Sequence, residues 1–209
     1  AALLLAPPGL PGRWLGVILL LPLVVLKPER PAWGEVWLSL LDVGQGLAVV
    51  VETAQGVLVY DAGPAYPGGF DAGAGIAAPF LKARGINRID RLVISHADQD
   101  HAGGARGLIA LIAAESILSG EPERLGLAGA RPCLAGDGWQ WSGIAFRFLY
   151  PDRVGLRDNQ ASCVLEIRTG EQRILLPGDI DRAIEERLLP ELKPLRVLIA
   201  SHHGSKGST

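Results

Sequence analysis

Residues 95–104 read SHADQDHAGG, which places His96, Asp98, Asp100 and His101 within six positions. Imidazole nitrogen and carboxylate oxygen are donors for zinc, manganese and similar divalent ions. A loop turns neighbouring side chains to two sides, so one such segment can feed two ions. The alternative is a solvated polar turn, which must then explain why two of only 4 histidines gather here. LLPGD sets Asp179 directly after an apolar run, where a carboxylate can bridge metals, although an Asp so placed is often only a turn residue or cap. IASHHGS puts His202 and His203 after another apolar run, where surface histidines are the plain reading of that pair alone. If those runs are strands, the three groups converge, because α/β folds gather their sites at strand C-termini.

Holding these side chains requires strands and tight turns. Apolar and β-branched runs predict strands over Val36–Leu41, Leu47–Glu52, Val57–Tyr60, Arg91–Ser95, Ile144–Leu149, Ser162–Arg168, Arg173–Leu176 and Arg196–Ala200. Thr169-Gly170 predicts a hairpin turn between two of them. Helical patterns predict Gly75–Arg84, with Asp71 as upstream cap and Gly85 as stop, then Gly103–Ala114, and Asp181–Leu189 with Asp181 as N-cap. A meander of strands followed by strand–loop–helix units predicts an α/β sandwich, sheets inside and helices outside.

The 209 residues suit one domain with a short appendage, and 48% hydrophobic against 20% charged residues excludes a disordered chain. Lys+Arg 20 against Asp+Glu 22 gives a net charge of −2, which argues against a bulk-basic nucleic-acid surface and leaves only a local patch. Cys133 and Cys163 are too few for a disulfide scaffold and read as core residues. Residues 1–26 are apolar apart from Arg13, and they predict the end of a transmembrane region; a buried core helix is the alternative. Proline and charge predict a linker over 27–35, leaving 36–209 as the globular domain. With no Met in the chain, Ala1 is expected to follow further residues of a longer protein, and C-terminal elements are expected beyond Thr209.

LDVGQG (Leu41–Gly46), YDAG (Tyr60–Gly63), SHADQDHAGG (Ser95–Gly104), LPGD (Leu176–Asp179) and ASHHGSKGS (Ala200–Ser208) together resemble the motifs of the metallo-β-lactamase superfamily. More narrowly, they resemble the C-terminal domain of the ComEC family of DNA-internalisation competence proteins. The resemblance implies an αββα sandwich behind a partial transmembrane segment, on the outer side of a bacterial cytoplasmic membrane. It implies hydrolysis of DNA phosphodiesters during transformation, with two divalent ions as cofactors. Single-stranded DNA, the remainder of a membrane channel chain and other DNA-uptake proteins are the implied partners. One ion would be held by His96 and Asp98 and the other by Asp100 and His101, with Asp179 bridging and His202 or His203 completing the second site. The expected catalytic set is Asp100, His202, His203 and Lys206, a spare histidine or the lysine protonating the leaving oxygen.

Three departures from the pattern bear on these expectations. Asp98 stands where the superfamily has a second His, and Asn159-Gln-Ala-Ser162 occupies the stretch of a middle His, making Asn159 and Ser162 candidates for a weak ligand or substrate contact. Leu47 stands where the ComEC pattern has an acid. Carboxylate in place of imidazole hardens the donor set and predicts manganese as the preferred ion, with zinc or magnesium behind it. Arg106, Arg153, Arg157 and Lys206 are candidates to track a DNA backbone, or are ordinary solvated charges. Two rival functions remain: a hydrolase of small esters, lactones or β-lactams, and a catalytically weak DNA-handling module. A serine nucleophile is disfavoured because Ser201 lacks the Gly-x-Ser-x-Gly elbow.

Overall fold

The computed structural model describes residues 12, 14–25 and 28–204, with the side chains of 22–25 and 203 outside that description. Its strands form two sheets. The first has six strands in sequential order: β1 (Trp37–Leu40), β2 (Val49–Glu52), β3 (Val57–Tyr60), β4 (Arg88–Ile94), β5 (Ala113–Ser119) and β6 (Ala130–Pro132). β1, β2 and β3 pair antiparallel, and β3 to β6 pair parallel. The second sheet comprises β7 (Gly138–Trp141), β8 (Ile144–Tyr150), β9 (Val164–Thr169), β10 (Gln172–Leu176) and β11 (Val197–Leu198), with order β11-β10-β9-β8-β7.

Side-chain alternation builds the layers. Along β2, Val49 and Val51 enter the core between the sheets, while Val50 enters the core behind the first sheet. The inter-sheet core joins Val49, Leu58, Tyr60 and Val93 to Phe146, Phe148, Leu165 and Leu176. Behind the first sheet, Val59, Leu92 and Ile94 share a core with Leu81 of α2 (Ala78–Ala83), Leu108 of α4 (Ala105–Leu111) and Leu125 of α5 (Pro122–Leu125). Behind the second sheet, Val164 and Leu175 pack on Ile184 and Leu188 of α6 (Arg182–Leu188). Helix, sheet, sheet, helix is the expected sandwich.

Most strands fall where the residue pattern puts them, and three elements differ. The helix predicted over Gly103–Ala114 shortens to α4 behind a separate turn of helix, α3 (Gln99–Ala102), and at Ile112 the backbone turns extended, φ −140 and ψ 115. Ala113–Ser119 then becomes β5, because β4 offers a parallel partner from Arg88 to Ile94; tertiary pairing overrides the alanine-rich helical pattern. The last strand shrinks to Val197–Leu198 at a sheet edge, with Leu198 56% exposed rather than buried. The predicted helix at Gly75 begins as a π-helical turn over Gly73–Ala77, and Asp71 accepts from the Ala74 N–H at 2.8 Å in the capping role expected of it.

The cysteines correct the sequence reading. Both are buried, as core residues should be, but Cys133 and Cys163 are joined in a disulfide. Cys133 follows β6 of the first sheet and Cys163 precedes β9 of the second, so the bond staples sheet to sheet.

Among the described residues no helix is long and apolar enough to cross a membrane; the apolar α1 (Leu15–Val25) has 11 residues. The expectation for 1–26 lies partly outside the described residues. The predicted linker is tied to the domain: the Gly34 N–H donates to the Ser142 carbonyl at 2.9 Å and Arg84 donates to the Glu29 carbonyl at 3.0 Å.

Candidate metal centre

Three strand ends build the site. β3 delivers Asp61, β4 delivers Ser95 and His96, and β10 runs through Pro177 and Gly178 to Asp179. Asp61 is a buried non-glycine residue at φ 59, a conformation that Asp tolerates better than most. Its backbone N–H donates to Val93 at 2.8 Å, and its carboxylate accepts from the Ser95 N–H at 2.6 Å and the Ser95 hydroxyl at 2.8 Å. The same carboxylate lies 2.7 Å from His101 Nδ1. Asp61 thus fixes the ring orientation of His101 and leaves Nε2 pointing at Asp179, whose Oδ1 is 3.3 Å away.

Ser162 performs the matching service for the third strand end. It is fully buried; its hydroxyl accepts from the Asp179 N–H at 3.1 Å and lies 3.5 Å from His96 Nδ1. Gly178 (φ 62) makes this possible, because a Cβ there would lie 2.9 Å from that of Ser95 and 3.0 Å from that of Ser162. Gly46 of the DVGQG turn is similarly obligatory: a Cβ would sit 2.2 Å from the Asp100 carbonyl.

The two buried imidazoles, 4.4 Å apart, respond oppositely to this environment. For His96, burial and then the neighbouring His101 push the ring towards its neutral form. For His101, burial acts the same way but is outweighed by Asp61 and Asp179, so its pKa is pushed up to about 10 in the metal-free protein. A neutral His96 makes its 3.5 Å approach to Asp98 Oδ2 a weak contact rather than an ion pair.

His96 Nε2 is buried without a hydrogen-bond partner. Leaving such an atom unpaired costs about 1–3 kcal/mol. One donor atom each from His96, His101 and Asp179 lie within 4.8 Å of one another. An orphaned nitrogen facing a second imidazole and a carboxylate fits a divalent ion, so the residues present suit the cofactor that the sequence implied.

The other expected site residues fall at different distances. Asp100 Oδ2 is 3.9 Å from His101 Nε2, and Asp98 lies beside His96 while its Oδ1 is 3.6 Å from Arg124. Asn159 is half-buried in the 3-10 turn Asp158–Ala161, and its carbonyl accepts from the Ser162 N–H at 3.2 Å. His202 sits at φ 49 in the turn Ser201–Gly204, with its N–H 3.4 Å from the Gly178 carbonyl, and it is outside the three-residue cluster. The His203 side chain and Lys206 lie outside the described residues. Arg106 donates to the Leu125 and Gly126 carbonyls, whereas Arg153 and Arg157 are exposed. Leu47, in the acid's place, belongs to the inter-sheet core.

Two features escaped the sequence reading. Asp61 lay in a quoted motif, YDAG, but its hold on His101 spans 40 positions and leaves no local pattern. Glu121, buried, accepts from the Ala97 N–H at 3.0 Å and grips Arg124 with both oxygens, bracing the backbone between His96 and Asp98. A cleft of about 560 Å³, lined by Asp42, Val43, Gly44, Leu198 and Ile199, reaches this centre at Asp179.

Comparison with known proteins places this geometry. The chain is 40% identical over 213 residues to Competence protein ComA of Neisseria gonorrhoeae, covering 100% of this chain and 30% of that protein. It is 36% identical over 198 residues to Recombination protein 2 of Haemophilus influenzae, covering 93% of this chain and 24% of that one. It therefore spans less than a third of the length of these relatives, and a competence protein is what the ComEC resemblance leads one to expect. In three dimensions it is similar to MEM-A1, a subclass B3 metallo-beta-lactamase isolated from a soil metagenome library. The TM-score is 0.57 at 16% identity, over 85% of this chain and 81% of that one, a likeness of fold. The metallo-beta-lactamase superfamily profile matches residues 41–209, and the chain belongs to that superfamily.

Proposed function

We propose that this chain is the metal-dependent nuclease domain of a bacterial DNA-uptake protein, hydrolysing DNA phosphodiesters during transformation. The observation that carries the reading is the buried, unpartnered His96 Nε2 facing His101 and Asp179. His96 and Asp98 would hold one divalent ion, Asp100 and His101 the other, with Asp179 between them and His202 or His203 completing the second. Two such ions supply Lewis acidity towards a phosphoryl oxygen and lower the pKa of water. The chain's own part is to hold the donors. Asp61 orients His101, Ser162 seats Asp179, and Glu121 fixes the loop carrying Asp98. His202, His203 or Lys206 would give the proton to the leaving oxygen. Three carboxylates suit manganese or magnesium better than zinc, and manganese is the preferred ion in this reading.

The partners in this reading are single-stranded DNA, the remainder of a membrane channel chain and other DNA-uptake proteins. The relatives named for competence and recombination support it. The Cys133–Cys163 disulfide supports a position on the outer side of the cytoplasmic membrane, since disulfides persist in oxidising compartments. The position of His202 outside the cluster favours the second reading, a DNA-handling module with little turnover.

The test is cleavage of single-stranded DNA by the manganese-loaded protein, with EDTA-stripped protein and Asp100→Ala as controls. The nuclease reading expects cleavage that falls more than about 100-fold in Asp100→Ala, a larger loss than that typical of groups acting behind the ligands. Metal-loaded, folded protein that binds DNA without cutting it would select the second reading.

A further inference from the structure

Of the three Tyr and four Phe in the chain, only Tyr66 and Phe70 are exposed, at 52% and 45%. They are not scattered. The Tyr66 N–H donates to the Phe70 carbonyl at 2.8 Å, and the adjoining pair, Ala65 and Asp71, forms an antiparallel bridge. Tyr66 therefore stands opposite Phe70, and opposed positions of an antiparallel pair send their side chains to one face. Both rings line one cavity of about 400 Å³, together with Asp42 to Gln45, Pro64 and Ile76.

This hairpin is fixed to the metal loop. The Gln99 side-chain amide donates to the Ala65 carbonyl, and the Gly104 N–H donates to the Gly63 carbonyl at 2.9 Å. Its cavity adjoins the cleft that reaches Asp179, for Asp42, Val43 and Gly44 line both. Among the described residues no Lys or Arg lines the aromatic cavity, and Asp42 is acidic. That lining disfavours a phosphate and suits the flat, uncharged part of a nucleotide. Paired bases in a duplex hide their faces, whereas an unpaired base offers a π-face of any sequence to an aromatic ring.

We propose that Tyr66 and Phe70 form a stacking subsite for an unpaired nucleobase of the strand whose phosphodiester lies at the metal centre. The subsite rests on the nuclease or DNA-handling reading above and makes the domain selective for single strands without reading sequence. The probes are a short labelled oligothymidine, the same oligomer with abasic sugars, and a duplex of equal length, each titrated by fluorescence anisotropy with the metal-loaded protein. The wild type is expected to bind oligothymidine about tenfold or more tighter than the abasic oligomer or the duplex. Tyr66→Ala/Phe70→Ala should reduce oligothymidine binding to the abasic level and leave abasic binding unchanged, while Tyr66→Trp/Phe70→Trp should retain the preference. Both positions are surface ones, and an unchanged thermal midpoint checks the fold. Oligothymidine binding that is the same in wild type and double-alanine variant overturns the subsite alone. Equal wild-type binding of the oligothymidine and abasic probes does so too, and leaves the rings to cover a surface of another chain segment. A wild type that holds metal but binds none of the three probes overturns the DNA reading with it.

Discussion

At the scale of the residue, the site depends on a carboxylate that is not itself among the expected ligands. Asp61 accepts three hydrogen bonds, two from Ser95 and one from His101 Nδ1, and so decides which imidazole nitrogen of His101 is available. Asp61→Asn keeps the shape, but its amide end cannot accept, so either the Ser95 N–H at Oδ1 or both the Ser95 hydroxyl and His101 Nδ1 at Oδ2 lose their partner. Groups acting behind a ligand in this way contribute about 10–100-fold to metal affinity. Titration of the metal-free Asp61→Asn protein with manganese or zinc should show a loss of that size. An affinity equal to the wild type would reduce Asp61 to a turn residue. By the same logic Ser162, a candidate weak ligand or substrate contact, also holds the backbone of Asp179.

Elements matter through where they end. β3, β4 and β10 belong to two different sheets, yet their C-terminal ends meet at Asp61, His96 and Asp179. The Cys133–Cys163 bond ties the sheets beside this meeting point, and Cys163 also donates its N–H to Ser95 at 3.0 Å and accepts from the Tyr60 hydroxyl at 2.6 Å. Closing a loop with a sequence separation of 30 removes chain entropy from the unfolded state worth about 3–4 kcal/mol. Cys133→Ser/Cys163→Ser should lower the unfolding free energy in urea by that amount, with metal affinity also reduced. A double variant as stable as the wild type would show that the inter-sheet core holds the sheets together unaided.

For the whole molecule, folding and metal binding are linked. The unfolded chain does not gather His96, His101 and Asp179, so a bound ion stabilises only the folded state. At free metal about a thousandfold above the dissociation constant, the linkage is worth about 4 kcal/mol per site. Thermal unfolding with saturating manganese should therefore give a midpoint well above that in EDTA, and the gap should shrink in His96→Ala. Identical midpoints would remove the basis of the metal assignment. His96→Ala is informative because it deletes the one buried imidazole nitrogen, among the described residues, that lacks a hydrogen-bond partner without metal.

Much of this was legible in the residues. The HADQDH and PGD segments announce donor chemistry because His and Asp carry the imidazole nitrogen and carboxylate oxygen that bind divalent ions. The alternating strands and capped helices follow from local periodicity, which is why β2, β3, β9, β10 and α6 fall where the pattern puts them. Tertiary contact decided the rest. β5 exists because β4 is there to pair with, against the helical run of Gly103–Ala114. The cysteines pair because two sheets bring positions 133 and 163 together, which residue spacing does not encode. Asp61 meets His101, and Tyr66 meets Phe70 beside the cleft, only after the chain has folded back on itself. Ligand identity is a property of single residues; orientation and neighbourhood depend on distances that exist only in the packed molecule.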